Sequence, residues 1–266
     1  MSVNDRSVAL IKTITKDDGE TTFEESATVL NYGDPDDPPL AKSKMIAATA
    51  ISFHWDPGDK VFDIYPAPRR RLIIPLEGQL EVIVSTGESR KFAVGDVVEI
   101  GDVSGKGHIC RSVDGRPYRS ALINLDDNLV AARTKPIVGP IASNDVSYLR
   151  TYDGPEGRSV TEAGHLPYRH GDKVGGLVTD EIAITGFQFV LAPPDLDYAW
   201  HRAPQRQFVI PITGGMEIEN GQGKRHKVLP GEIYVGEDVD GHGHITRALK
   251  GRERLSIFAH LSDRLE

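Results

Sequence analysis

The sequence predicts an all-β protein built from two tandem jelly-roll β-barrels that are related by an internal duplication. Short apolar runs alternate with turns that contain Gly, Pro, Asp or Ser, and the 266 residues include 27 Gly and 17 Pro. No segment of either repeat keeps a 3.6-residue apolar period for three turns. Many short strands at regular spacing, together with a repeated unit, are typical of jelly-roll barrels.

The duplication is visible in one ungapped register. Between residues 44 and 125, residue i aligns with residue i+136, and 27 of the 82 aligned pairs are identical. The clearest shared block is Gly-x-Gly-His-Ile, which ends at Ile109 in the first copy and at Ile245 in the second. Such agreement over a whole segment indicates a tandem repeat of one small domain.

The strands follow in the same order in each copy. Runs 72–76, 79–84, 97–100 and 109–113 of the first copy are predicted strands because turn residues bound each of them, and run 254–261 closes the second copy in the same way. Alternation along each strand places every second side chain inside its barrel, where it can line a pocket.

The register predicts two domains, residues 1–135 and 136–266, which meet at the Pro- and Gly-containing stretch 135–140. Segments 1–43 and 126–179 are less similar to each other than the repeated cores are. We expect them to form lead-in strands, covers and linkers.

The composition limits the classes of partner. With 31 Lys and Arg against 39 Asp and Glu, the net charge of −8 predicts no nucleic-acid partner, because phosphate contacts need a basic face. A single cysteine, Cys110, excludes an intrachain disulfide and favours a cytoplasmic location. No run approaches the roughly 20 apolar residues of a membrane span, so no membrane partner is expected. A small-molecule substrate or ligand is the expected partner, and a homodimer is a possible assembly.

Two blocks in each repeat resemble the motifs of the cupin superfamily, His-x-His-x3–4-Glu-x6-Gly and then Gly-x5-Pro-x-Gly-x2-His-x3-Asn. In the second repeat the first block runs from His201 through Ala203 and Gln207 to Gly214, and the second block contains His244. The order, the spacing and the turn glycines match in both halves, so the resemblance covers most of the chain. It implies a tandem two-domain cupin, or bicupin, whose metal-binding motifs are degenerate.

In metal-binding cupins, two His and the Glu of the first block and the His of the second bind one divalent ion. The resemblance places His201, Gln207 and His244 at three of these positions and Ala203 at the fourth. Two imidazoles and a neutral amide provide fewer strong donors than the three protein ligands usual at catalytic zinc. The implied site in the second barrel therefore holds Zn, Fe, Mn or Ni weakly, or holds no metal.

The first repeat departs further from the motif. Tyr65, Ala67 and Arg71 stand at the positions of the first-block ligands, and only His108 is retained. The fixed positive charge of an arginine disfavours a divalent cation and favours an anion. Cys110 should face the same way as His108, and we expect it to be a small buried residue rather than a nucleophile.

Further side chains are candidates for contact with a substrate in the second barrel. They are Tyr198, Trp200, Glu237 and Thr246. The two aromatic residues predict either substrate stacking or packing at the barrel mouth. Glu237 has Gly101 opposite it, and is either a solvated turn carboxylate or a catalytic one. Asp238 is matched by Asp102, which predicts a role that both copies need. The direction of His260 stays open.

His201 and His244 should converge on one cavity with Gln207. Two imidazoles that titrate near neutral pH, and an amide that orients a carbonyl or hydroxyl group, suffice for proton transfer. The sequence therefore predicts a lyase or isomerase type of enzyme that catalyses isomerisation, elimination or dehydration, or cyclisation of an oxygenated metabolite. The alternatives are a non-catalytic ligand-binding or structural bicupin, and a metal-dependent dioxygenase.

Overall fold

The computed structural model describes residues 6–32, 40–59, 63–125, 135–136, 145–171 and 176–265. Within this part of the chain the regular structure is β except for one 3₁₀ turn, Pro155–Gly157. None of the described residues forms a helix that is long and apolar enough to cross a membrane. The predicted all-β class is confirmed. The predicted domain boundary at 135–140 falls almost wholly outside the described residues and stays a prediction.

The described strands follow the chain in two series. The first series is β1 (Arg6–Thr15), β2 (Thr21–Leu30), β3 (Ala41–Lys42), β4 (Ala50–Asp56), β5 (Arg71–Glu77), β6 (Gln79–Val84), β7 (Ser89–Ala93), β8 (Val98–Ile100), β9 (His108–Ser112), β10 (Tyr118–Asn124) and β11 (Lys135–Pro136). The second series is β12 (Val146–Asp153), β13 (Ser159–Leu166), β14 (Tyr168–Gly171), β15 (Leu177–Thr179), β16 (Ile182–Ala192), β17 (Asp197–His201), β18 (Gln207–Thr213), β19 (Met216–Glu219), β20 (Arg225–Val228), β21 (Tyr234–Glu237), β22 (His244–Ala248) and β23 (Arg254–Leu261).

The second series repeats the first. Strands β5, β7, β8, β9 and β10 begin 136 residues before β18, β20, β21, β22 and β23. Each half combines strands of one large sheet with a smaller sheet of its own, ordered β7-β6-β9 in the first half and β17-β22-β19-β20 in the second. Two sheets that enclose one interior form a jelly-roll barrel, as the sequence predicts.

The lead-in segments also share one topology, although their sequences differ. Strands β1 and β2 form an antiparallel hairpin, and β1 pairs in parallel with β8. Strands β12 and β13 form the same hairpin in the second half, and β12 pairs in parallel with β21. The duplicated unit therefore includes the hairpin that covers each barrel.

The two halves are joined by a pseudo-twofold contact in which each half lends a short strand to the other. Strand β3 pairs with β16 of the second half, and β15 pairs with β4 of the first half. Strands β4 and β16 also pair with each other, so one sheet runs through both barrels. Phe53, Phe187, Phe189 and Phe208 are fully buried in a core cluster that both halves share.

Candidate functional site

The second barrel encloses a cavity of about 580 Å³ between its two sheets. This volume lies within the range of small-molecule sites. One wall carries Gln207 and Gly236, and the opposite wall carries Met216 and His244. Lys42 also lines the cavity, and it lies on β3 of the first half. Both halves of the chain therefore build this site.

Three substitutions between the copies change the side chains that face the two barrel interiors. In the first barrel, Phe92 and Ile100 belong to a buried cluster of ten apolar residues. The register places Val228 and Gly236 at these positions in the second barrel, where the corresponding cluster has five buried residues. Tyr118, which belongs to the cluster in the first barrel, is replaced by Arg254.

His201 and His244 are brought together by strand pairing. His201 on β17 lies opposite His244 on β22, and the two ring centroids are 4.4 Å apart. Gly243 makes this approach possible, because its φ is +85° and a Cβ there would lie 2.1 Å from the carbonyl oxygen of His201. The Gly-x-Gly-His block thus sets the spacing of the histidine pair.

Hydrogen bonds fix which nitrogen of each ring carries a proton. Nδ1 of His244 is 2.7 Å from a carboxylate oxygen of Asp238, and Nδ1 of His201 is 2.8 Å from the carbonyl oxygen of Ala199. Both partners accept hydrogen bonds, so Nδ1 is the donor in each ring and Nε2 is the basic nitrogen of the neutral form. Burial raises the pKa of Asp238, and the hydrogen bond with His244 opposes this shift.

The other predicted residues divide into two groups. Gln207, Tyr198 and Thr246 line the cavity with the histidines, and the Tyr198 ring lies 4.4 Å from that of His201. Trp200 and Glu237 do not line it. Trp200 is 41% exposed and packs against His242 at a ring distance of 4.7 Å.

Glu237 faces away from the cavity. One of its carboxylate oxygens accepts a hydrogen bond from Nε of Arg150 at 2.5 Å, and the other accepts one from the backbone N–H of Leu265 at 2.8 Å. Through these two hydrogen bonds, Glu237 on β21 is joined to Arg150 on β12 and to Leu265. Strand alternation explains this direction, because the neighbour Gly236 occupies the cavity side.

Sequence analysis left the direction of His260 open and missed further polar residues of the cavity, among them Lys42 and Arg254. Burial, and secondly the charge of Lys42, lower the pKa of His260, so that this ring is neutral. Lys42 lies outside the repeated block and could not be assigned to the second barrel from the register. Arg254 could have been noticed in the sequence, because the register aligns this cationic residue with Tyr118 at the start of an otherwise apolar strand.

Arg254 is buried, and it forms no ion pair with the described residues. Its exposed fraction is 3%, and Nε and Nη1 of the guanidinium have no hydrogen-bond partner in the described part of the chain. Burial lowers the pKa of Arg254 to about 10, and no carboxylate of the described residues opposes this shift.

The donors of the second barrel fit a resident divalent ion poorly. The described residues contain no cluster of three His, Cys, Asp or Glu side chains placed to hold a metal. Ala203 is buried where the cupin motif has a second histidine, and Gln207 is a neutral ligand. Lys42, Arg202 and Arg254 line the same cavity and repel a divalent cation.

The first barrel holds a different arrangement around His108. Nδ1 of His108 is 2.8 Å from a carboxylate oxygen of Asp102, and the Tyr65 ring lies 5.6 Å from the imidazole. Burial disfavours the charged imidazole, but Cys110 and Asp102 outweigh it and raise the pKa of His108 to about 10. Burial lowers the pKa of Arg71. His108 and Asp102 therefore form a buried polar pair beside the apolar cluster of the first barrel.

Comparisons with known proteins give structural neighbours only. No family model and no curated protein matches the sequence. A cupin 2 conserved barrel domain protein from Leptotrichia buccalis has 13% identity and a TM-score of 0.40, with 98% of this chain and 92% of that chain covered. A putative glyoxylate induced protein from Pseudomonas aeruginosa has 10% identity and a TM-score of 0.40, with 86% and 83% covered.

A mutant of oxalate decarboxylase from Bacillus subtilis has 11% identity and a TM-score of 0.30, with 90% of this chain and 74% of that chain covered. The fold of the described residues, two jelly-roll halves joined by one sheet, is shown by their own strand pairing. At these identities and scores, none of the neighbours identifies a ligand or an activity of this protein. The chemistry must come from the residues of the cavity.

Proposed function

We propose that the second barrel is the active site of a small-molecule enzyme of the lyase or isomerase type, which moves protons on an oxygenated metabolite. The observation that supports this most is the histidine pair. Two imidazoles with ring centroids 4.4 Å apart each use Nδ1 for a hydrogen bond within the protein, and both line one cavity. In this proposal the Nε2 atoms of the two rings serve as acid and base.

The two histidines have different roles in this proposal. Nε2 of His244 removes a proton from the substrate, and the carboxylate of Asp238 stabilises the imidazolium that forms. Turnover in this proposal requires one ring to be neutral and the other protonated when the substrate binds, because two positive rings this close would repel each other. His201 returns a proton to the carbonyl, the leaving group or the adjacent carbon. The amide of Gln207 orients an oxygen of the substrate.

Deuterium exchange tests the proton-transfer step without knowledge of the natural substrate. The protein is incubated in D₂O with dihydroxyacetone, acetoin, 2-oxobutyrate and malate, and the loss of carbon-bound protons is followed by ¹H NMR. We expect exchange above the uncatalysed rate with at least one probe. His244→Asn and His201→Asn should each reduce it by about 100-fold or more, the usual contribution of a general acid or base.

His108→Asn is the matched control, because it removes the equivalent histidine of the first barrel. It should leave the exchange rate within about twofold of the original protein. Equal losses in all three variants would assign the activity to the wrong barrel. Exchange by none of the probes, together with binding of one of them, would favour the ligand-binding alternative.

A metal-dependent dioxygenase is the weaker alternative, because its ion would have to be held by two imidazoles and an amide beside three cationic side chains. Dialysis against a mild chelator should leave well under one metal ion per chain by elemental analysis. Gln207→Glu should increase retention by adding an anionic ligand. Retention of a full equivalent of metal by the original protein would favour the dioxygenase alternative.

We also propose a cytoplasmic location, which the single thiol of Cys110 favours.

A further inference from the structure

The charge of the cavity is opposite to that of the whole protein. The chain has a net charge of −8, yet its second-barrel cavity is lined by Lys42, Arg202 and Arg254, and no carboxylate lies among the described lining residues. The nearest acidic side chain to the histidines, Asp238, is bound to the far nitrogen of His244. A cavity of this kind attracts a negatively charged molecule.

Arg254 is the residue that most needs such a molecule. A buried guanidinium is normally paired, because the loss of its hydration costs several kcal/mol if nothing replaces the water. Arg150, the comparable arginine of the lead-in hairpin, is paired with Glu237. Arg254 has no described acidic neighbour, and two of its nitrogens have no hydrogen-bond partner.

We infer that Arg254 is the anchor of a carboxylate subsite, and that the cavity takes a small oxygenated carboxylate whose acid group pairs with this guanidinium. One planar guanidinium can pair with one carboxylate through two parallel N–H···O hydrogen bonds and match its single charge. That the carbon beside the carboxylate reacts at His201 and His244 rests on the proposed function. The carboxylate subsite itself does not.

Binding of a matched pair of probes tests the subsite. Isothermal titration compares 2-oxobutyrate with its neutral amide, 2-oxobutanamide, and with inorganic phosphate. We expect the carboxylate to bind at least about 30-fold more tightly than the amide, the value of a charge-assisted hydrogen bond. We also expect it to bind more tightly than phosphate. Equal affinities for acid and amide would overturn the inference, and preferred binding of phosphate would replace carboxylate by phosphate.

Arg254→Met tests the residue and has a second readout. It should abolish the preference for the carboxylate and at the same time raise the melting temperature of the ligand-free protein, because an unpaired buried charge is removed. Arg150→Met is the matched control. It should lower the melting temperature by leaving Glu237 buried without its partner, and it should keep the carboxylate preference. Unchanged preference in Arg254→Met would refute the role of this arginine.

The double variant His201→Asn/His244→Asn separates this inference from the proposed function. It should lose deuterium exchange and still prefer 2-oxobutyrate to 2-oxobutanamide. Loss of exchange with retained preference supports both ideas. Retained exchange in this variant refutes the acid and base roles alone, and lost preference shows that the histidines, rather than Arg254, bind the acid.

Discussion

Asp102 and Asp238 hydrogen-bond Nδ1 of His108 and His244 in the same way. The two sites differ in the residue that lies two positions after each histidine on β9 and β22. In the first barrel that residue is Cys110, which raises the pKa of His108, and in the second it is Thr246. The first histidine is thereby held as a cation in a packed interior. The second keeps its remaining nitrogen for the cavity.

The charge on His108 predicts a pH dependence of stability. Its pKa in the folded protein, about 10, is above the ordinary value of about 6.5. The folded state therefore binds this proton more tightly, and the stabilisation is complete below about pH 6.5. It is lost as the pH rises towards 10. Urea unfolding from pH 6 to pH 10 should show a falling free energy of unfolding, and His108→Asn should flatten the slope.

His165→Asn is a suitable control, because His165 is exposed on the lead-in hairpin. It should keep the slope of the original protein. An unchanged slope in His108→Asn would show that His108 is neutral in the folded state.

At the scale of elements, a single glycine sets the distance between β17 and β22. A methyl group at Gly243 would overlap the His201 carbonyl, whereas Gly223, which also has a positive φ, has open space around its Cβ position. Gly243→Ala should cost more than about 2 kcal/mol, the sum of backbone strain and strand separation. Gly223→Ala should cost about 1 kcal/mol from backbone strain alone.

Urea unfolding measures both values, and NMR contacts between the rings of His201 and His244 report the strand spacing. These contacts should disappear in Gly243→Ala and persist in Gly223→Ala. Equal costs for the two substitutions would mean that the close approach of β17 to β22 does not constrain Gly243.

The second cavity shows which of its residues could be predicted from the sequence. The resemblance to the cupin motifs predicted that His201 and His244 share one cavity, and the repeat alone could not, because Tyr65 stands opposite His201. The repeat could not show that β3 of the first half completes the second cavity, since Lys42 lies outside the repeated block. It also could not give the direction of Glu237, because β21 has no clear apolar alternation. The position of β3 and the direction of Glu237 both depend on pairing between strands that are distant in the sequence. A local sequence pattern does not specify that pairing.

At the scale of the whole molecule, the lent strands make the two barrels depend on each other. The hydroxyl of Ser43 accepts a hydrogen bond from the N–H of Phe189 at 3.0 Å, and the hydroxyl of Thr179 accepts one from the N–H of Phe53 at 3.0 Å. The four residues are related by the 136-residue register. Each hydroxyl also donates to the carbonyl of its next residue, Ser43 at 2.8 Å and Thr179 at 3.0 Å.

This symmetry predicts two equal energetic effects and one common unfolding transition. Ser43→Ala and Thr179→Val each leave a buried N–H without a partner, which costs about 1–3 kcal/mol. The costs should agree within about 1 kcal/mol, and exposed Ser104→Ala should have no effect.

Trp55 and Trp200 lie in different halves, so Trp200→Phe and Trp55→Phe leave one fluorescent reporter in each half. Both reporters should give the same urea midpoint in every variant, because one sheet crosses the interface. Separate midpoints would show that the halves unfold independently. Each barrel would then be stable without the strand, β3 or β15, that the other half contributes.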